Sequence, residues 1–226
     1  MSVDAVSKHS LNAHYTTKRL TLMIKINKFT QSNTWHNLRF TDKNTINIAS
    51  FLNSNNGEWF DEMILLATPA KTTRDRLLKA IDELKTKNAS EKDTILIYVS
   101  THNTLTMNHD NRLKHYIITY NTNKRHVTNT TITIKTLMKQ FNGFKSRRKV
   151  MILAFCHSGR GKSHLNPLVT SELKKIKGSF FAEPIEERSE ASVILTAYAW
   201  GETAQEDDHL KNDIYTHFLL SALKHR

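Results

Sequence analysis

A single cysteine among 226 residues leaves no partner for an internal disulfide and no basis for a thiolate zinc site. It fits a reducing compartment, and the chain is expected in the cytoplasm. Glycine (6) and proline (3) are scarce, and no repeat or low-complexity tract interrupts the sequence. No apolar stretch approaches the roughly 20 residues needed to span a bilayer, so no membrane role is expected. Met1 to Lys18 is polar, without an apolar signal core, and reads as a flexible lead-in rather than a secretion signal. Acidic residues are also in short supply, 21 against 33 Lys and Arg, a formal charge of +12. That balance invites a nucleic-acid role, but the basic residues are scattered. The clusters Lys145-Ser146-Arg147-Arg148-Lys149 and Lys174-Lys175-Ile176-Lys177 are not interleaved with aromatics or set in a nucleic-acid motif. A solvated basic surface that attracts acidic partners is the simpler expectation, with no specific nucleic-acid ligand.

What is present is a series of short apolar runs separated by amphipathic stretches. Strands are expected at Leu20–Ile26, Glu62–Leu66, about 93–100, Tyr116–Tyr120, about 149–155 and Ser192–Tyr198. Helices are expected around Ile46–Leu52 and after Thr72 or Thr73, the latter with Leu77, Leu78, Ile81 and Leu84 on one face. Further helices are expected over Ile132–Phe141, near 168–176, and at the end of the chain with Tyr215, Phe218, Leu219, Ala222 and Leu223 inward. Residues 103–131 read as largely polar loop around one small strand. Alternating strands and helices, with strands of continuous hydrophobicity, predict an α/β fold: a mostly parallel six-stranded sheet with helices on both faces, in one domain from 19 to 226.

Two of these strands end in chemistry. Thr94-Ile95-Leu96-Ile97-Tyr98-Val99-Ser100 leads to His102, and Val150-Met151-Ile152-Leu153-Ala154-Phe155 leads to Cys156. Ligands of parallel sheets bind beyond the carboxyl ends of the strands. If the two strands are neighbours, about 4.8 Å apart, thiol and imidazole can meet there as a nucleophile–base pair. A buried structural thiol is the alternative for Cys156. His157, adjacent to the thiol on a turn, diverges from it and is assigned a loop role. His102, His109 and His115 have no firm metal-ligand spacing, so neither metal nor cofactor is expected.

At these residues the chain resembles the caspase/metacaspase family of cysteine peptidases, particularly its bacterial members. Leu22-Met23-Ile24-Lys25-Ile26-Asn27-Lys28-Phe29 is similar to the family's first strand. Ser100-Thr101-His102-Asn103 stands where the family has Ser-Gly-His-Gly, and Tyr116-Ile117-Ile118-Thr119-Tyr120-Asn121 resembles the segment that follows. Ala154-Phe155-Cys156-His157-Ser158-Gly159 resembles the nucleophile turn, and Ile194 to Asp207 the late strand and pocket loop. The resemblance implies a three-layer caspase-like sandwich and a cysteine endopeptidase acting on protein substrates. Its catalytic residues would be His102 and Cys156, with backbone N–H groups of Asn103 and Cys156 facing the oxyanion. It also implies a place in bacterial defence or regulated cell death, and an activating protein partner as one means of control.

Three positions depart from the family: Thr101 and Asn103 replace glycines, and Ala154 replaces the metacaspase aspartate that helps hold a basic P1 residue. Glu202, Glu206 and Asp207 lie in the pocket loop, where they either accept P1 Arg or Lys, the reading preferred here, or form an acidic solvated loop that caps the following helix; an acidic P1 would need an arginine, for which Arg39 is the candidate. The 160–190 stretch resembles an inter-subunit linker, with Arg160, Lys162, Lys174, Lys175, Lys177 and Arg188 as basic points for self-cleavage. The alternative class is an inactive caspase-like module that binds or scaffolds, favoured by Thr101 and Asn103.

Overall fold

The computed structural model of the chain describes residues 17–53, 60–107, 113–157, 191–197 and 206–224, with backbone placement alone for residues 107, 113, 156, 157 and 191. The expected helix near 168–176, the 160–190 linker and Glu202 lie outside them. Five strands run parallel in the order β2 (Glu62–Leu66), β1 (Arg19–Lys25), β3 (Thr94–Met107), β6 (Arg148–His157) and β7 (Ala191–Thr196). Beyond the end of β1, β3 continues and pairs antiparallel with β4 (Leu113–Ile117), which pairs with the two-residue β5 (Ile132–Thr133). The sheet therefore has seven strands, one more than expected.

Strand alternation sorts the core into two layers. Odd positions of β3 and β6 (Ile95, Ile97, Val99, Met151, Leu153, Phe155) join Leu20, Leu22 and Ile24 of β1 on one face. Against them pack α2 (Arg74–Lys87) through Leu77, Ala80, Ile81 and Leu84, and α3 (Ile134–Asn142) through Ile134, Leu137, Met138 and Phe141. Even positions, Leu96, Tyr98, Ile152 and Ala154, join Met23 on the other face. That face is covered by α1 (Thr41–Asn53) through Ile48 and Leu52, and by α4 (Ile214–Lys224) through Leu220. The result is the expected helix–sheet–helix sandwich. A separate ribbon of β8 (Glu206–Asp207) and β9 (Asn212–Asp213) leads into α4, with Lys211 at φ 49° in its turn.

Four local expectations are corrected. Residues 103–107 extend β3 instead of looping, because Asn103 to Met107 find a ladder on β4. The small strand sits at Leu113–Ile117, three residues early, since that pairing ends where Ile118 turns its N–H to the His102 carbonyl (2.9 Å). Ile132 and Thr133 are a strand rather than the first turn of α3; Thr133 caps that helix by accepting from the Thr136 N–H at 3.0 Å. The inward face of α4 is rotated: Thr216 and Leu220 are buried, whereas Phe218 is 62% exposed and Ala222 is exposed. Asp213 at the start of that helix accepts from the Thr216 N–H (2.6 Å) and hydroxyl (2.8 Å), which turns the Thr216 side into the protein.

Candidate functional site

His102 and Cys156 are register partners on adjacent parallel strands. Both lie inside the C-terminal parts of β3 and β6, not past their ends. His102 follows Tyr98 and Ser100 at even positions of β3, on the α1/α4 side of the sheet. The row beneath is small: Ser100 pairs with Ala154, both 1% exposed. With alanine at 154, that row supplies no carboxylate beside the pair.

His102 is buried, at 3% exposure, and its ring is fixed from two directions. Phe29 packs at 5.0 Å between ring centroids, and Nε2 lies 2.7 Å from the main-chain oxygen of His36. A carbonyl only accepts, so Nε2 carries the hydrogen; in the neutral ring Nδ1 is then the basic nitrogen. This orienting contact was invisible in the sequence, because a backbone carbonyl has no residue signature.

The departures from the family acquire structural roles. The hydroxyl of Thr101, fully buried, donates to the Ile118 carbonyl at 2.8 Å, tying β3 to the segment after β4. Asn103 sits within the strand between Ile117 of β4 and His157 of β6, and among the described residues only Lys211 departs from negative φ outside glycine. Asparagine thus needs no left-handed backbone here. The His102 carbonyl points toward β4, accepting from Ile118; along a strand the next residue's amide points the opposite way, so the Asn103 N–H turns toward the strand of Cys156. His157 is the register partner of Asn103. His115 lies on β4, edge-on to Phe155 at 6.2 Å and remote in role from any ligand cluster. Among the described residues no three His, Cys, Asp or Glu side chains group as a metal site, and His109 is outside them.

The acidic ribbon reaches this region through the segment after β1. Glu206 Oε1 accepts the main-chain N–H groups of Arg39 and Phe40, both at 2.9 Å, and Oε2 lies 3.6 Å from Arg39 Nε. Arg39 also pairs with Asp208 at 2.7 Å. Asp207 instead closes its own turn, accepting from the N–H groups of His209 (2.8 Å) and Leu210 (2.9 Å). The Leu210 hydrogen bond, above all, holds its carboxyl below the usual range. Glu206 and Arg39, read from sequence as rival specificity residues, are therefore bonded to each other.

Behind the ribbon, Asp213 is buried and receives Thr216 and the side-chain amide of Asn44 from α1. Burial, against those hydrogen bonds, leaves its carboxyl above the ordinary value. Among the described residues no helix is long and apolar enough to cross a membrane.

The architecture is shared with solved proteins. Protein GSU0716 from Geobacter sulfurreducens superposes with a TM-score of 0.63 at 13% identity, over 92% of this chain and 82% of that one. Caspase-1 from Spodoptera frugiperda gives 0.58 at 11% identity, over 92% and 69%. No curated protein matches by sequence comparison. Identities this low establish the fold alone, but the caspase-domain family model matches residues 18–226 directly, and this chain is a member of the caspase-domain peptidase family.

Proposed function

We propose that the protein is a cysteine endopeptidase in which Cys156 attacks the scissile carbonyl and His102 manages the proton. The observation that carries this reading is the His102–Cys156 register pairing, with the imidazole held at Nε2 by the His36 carbonyl. With Nε2 engaged, Nδ1 takes the thiol proton and later delivers it to the departing amine. A thiolate beside an imidazolium is stabilised, which is what makes cysteine reactive at neutral pH. By the family resemblance, the N–H groups of Cys156 and Asn103 would receive the oxyanion as the carbonyl becomes tetrahedral, each worth about 3 kcal/mol by analogy with other acyl-transfer sites.

For P1 we propose Arg or Lys. Two carboxylates, Glu206 and Asp208, share one guanidinium, that of Arg39, while Asp207 lies beside them in the same turn and Glu202 adds a fourth acid to the loop in sequence. The family resemblance extends the proposal to a defence or cell-death effector acting on protein substrates in the cytoplasm, under control of an activating protein.

A fluorogenic peptide library varied at P1, assayed with wild type, His102→Ala and Cys156→Ala, tests the reading. Cleavage after Arg or Lys that disappears in both variants is the expected result. Cleavage that survives Cys156→Ala would refute the nucleophile, and cleavage after Asp would transfer specificity to Arg39. Silence of the wild type, with Cys156 also inert to iodoacetamide, would favour the inactive binding module.

A further inference from the structure

We infer that Glu206 is a positioning residue for His102, acting through the main chain of the segment that joins β1 to α1. The inference rests on the His102–Cys156 reading above. The imidazole is oriented by the His36 carbonyl, so its precision is that of the segment carrying residue 36. His36 contributes only backbone: its side chain is exposed. On its N-terminal side the segment is fixed by Trp35, buried, whose N–H reaches the Gln31 carbonyl at 3.0 Å. On its C-terminal side the Leu38 N–H reaches the Asn27 carbonyl at 3.0 Å, and the next two N–H groups, those of Arg39 and Phe40, converge on one oxygen of Glu206.

These two N–H groups precede α1 and have no place in a helix ladder, and Glu206 satisfies both. A carboxylate accepting two amides on one oxygen is a charge-assisted clamp, stronger than neutral pairs. The Glu206 side chain is only 14% exposed, which limits competition from water. Glu206 also sits opposite Asp213 in the ribbon, and Asp213 is bonded to Asn44 of α1. The ribbon is thereby held to α1 on one side and to the histidine's support on the other. Arg39 adds a lateral ion pair but is half exposed, so the two amides are the essential part of the contact.

The test reads the side chain of His102 and the reactivity of Cys156 in the full chain. Cys156 is the only cysteine, so its alkylation by iodoacetamide reports one site. In wild type, nitrogen-15 spectra should show His102 with Nε2 protonated and Nδ1 bare. Glu206→Ala is expected to give a mixture of tautomers and to slow alkylation at neutral pH at least tenfold. Glu206→Gln keeps an oxygen for both amides and is expected to restore the single tautomer and bring the rate to within about threefold of wild type. If Glu206→Ala does not fold, Glu206→Asp, one methylene too short to reach both amides, takes its place. An unchanged tautomer and rate in the Ala or Asp variant would overturn the inference, as would equal losses in Glu206→Ala and Glu206→Gln. His102→Ala separates the two ideas: if it leaves alkylation unaltered, the His–Cys pairing itself fails.

Discussion

Asp93 lies at the end of the sheet farthest from His102, where β1, β3 and β6 begin, and it offers the sharpest test of what holds that end together. It is 1% exposed, yet its carboxylate is ionised and surrounded by donors. Oδ1 accepts the Lys18 N–H at 2.9 Å; Oδ2 accepts the Ser90 N–H and the Asn88 side-chain amide, each at 2.9 Å. Its main-chain oxygen accepts the Ser146 hydroxyl at 2.5 Å, and Asn88 returns an oxygen to the Ser146 N–H at 2.9 Å. Burial alone would raise the Asp93 pKa, but the hydrogen bonds from Lys18, Ser90, Asn88 and Ala89 outweigh it and hold the carboxyl below its ordinary 3.8. In Asp93→Asn one oxygen becomes an NH2 facing a donor. One buried donor then goes unpaired, at about 1–3 kcal/mol, and the remaining bonds lose their charge assistance, so the total is about 3 kcal/mol. For a chain of this size that corresponds to a fall in Tm of roughly 6–12 °C. The pH sense is fixed by the depressed pKa: the stabilisation is complete above 3.8 and vanishes as pH falls through the folded value. Thermal melts of wild type and Asp93→Asn should therefore differ most near neutrality and converge in acid. A Tm change under about 2 °C at neutral pH, or a gap that stays constant into acid, would refute the reasoning.

The opposite behaviour is expected of Asp213, whose carboxyl is pushed up by burial first and further by Glu206, against the bonds from Thr216 and Asn44. Its charged form is disfavoured in the fold, so the wild-type advantage over Asp213→Asn should shrink as pH rises above 3.8, and the loss at neutral pH should be smaller than for Asp93→Asn; the same melts decide. Tyr215, raised to about 12 by burial and then by the neighbouring Asp213 charge, should ionise late; the tyrosinate absorbance lost in Tyr215→Phe should titrate near that value. Its contribution to stability is intact below 10 and falls as pH rises through about 12.

Much of this molecule was legible because strand periodicity and buried runs speak directly. The run Glu62–Leu66 matched β2 residue for residue, and the two runs leading to His102 and Cys156 did become neighbouring strands. What escaped was set by partners rather than by local pattern. Thr104 and Thr106 read as loop until β4 offers them a ladder. Phe218 reads as core until the Asp213–Thr216 cap turns α4 away from it. The contacts around the site were hidden for another reason: Glu206 engages main-chain N–H groups and His102 a main-chain oxygen, and neither marks the residue that supplies it.

The register of β3 against β6 makes the site a matter of counting. His102 is the ninth position of its ladder with β6, beginning at Thr94, and Cys156 is the ninth from Arg148. One residue inserted into either stretch would send that side chain through to the α2/α3 face. Two would keep the face but displace it by about 6.6 Å along the strand. An insertion or deletion in either stretch is therefore expected to separate the pair. Between Thr94 and His102, and between Arg148 and Cys156, the chain can change its letters but not their number.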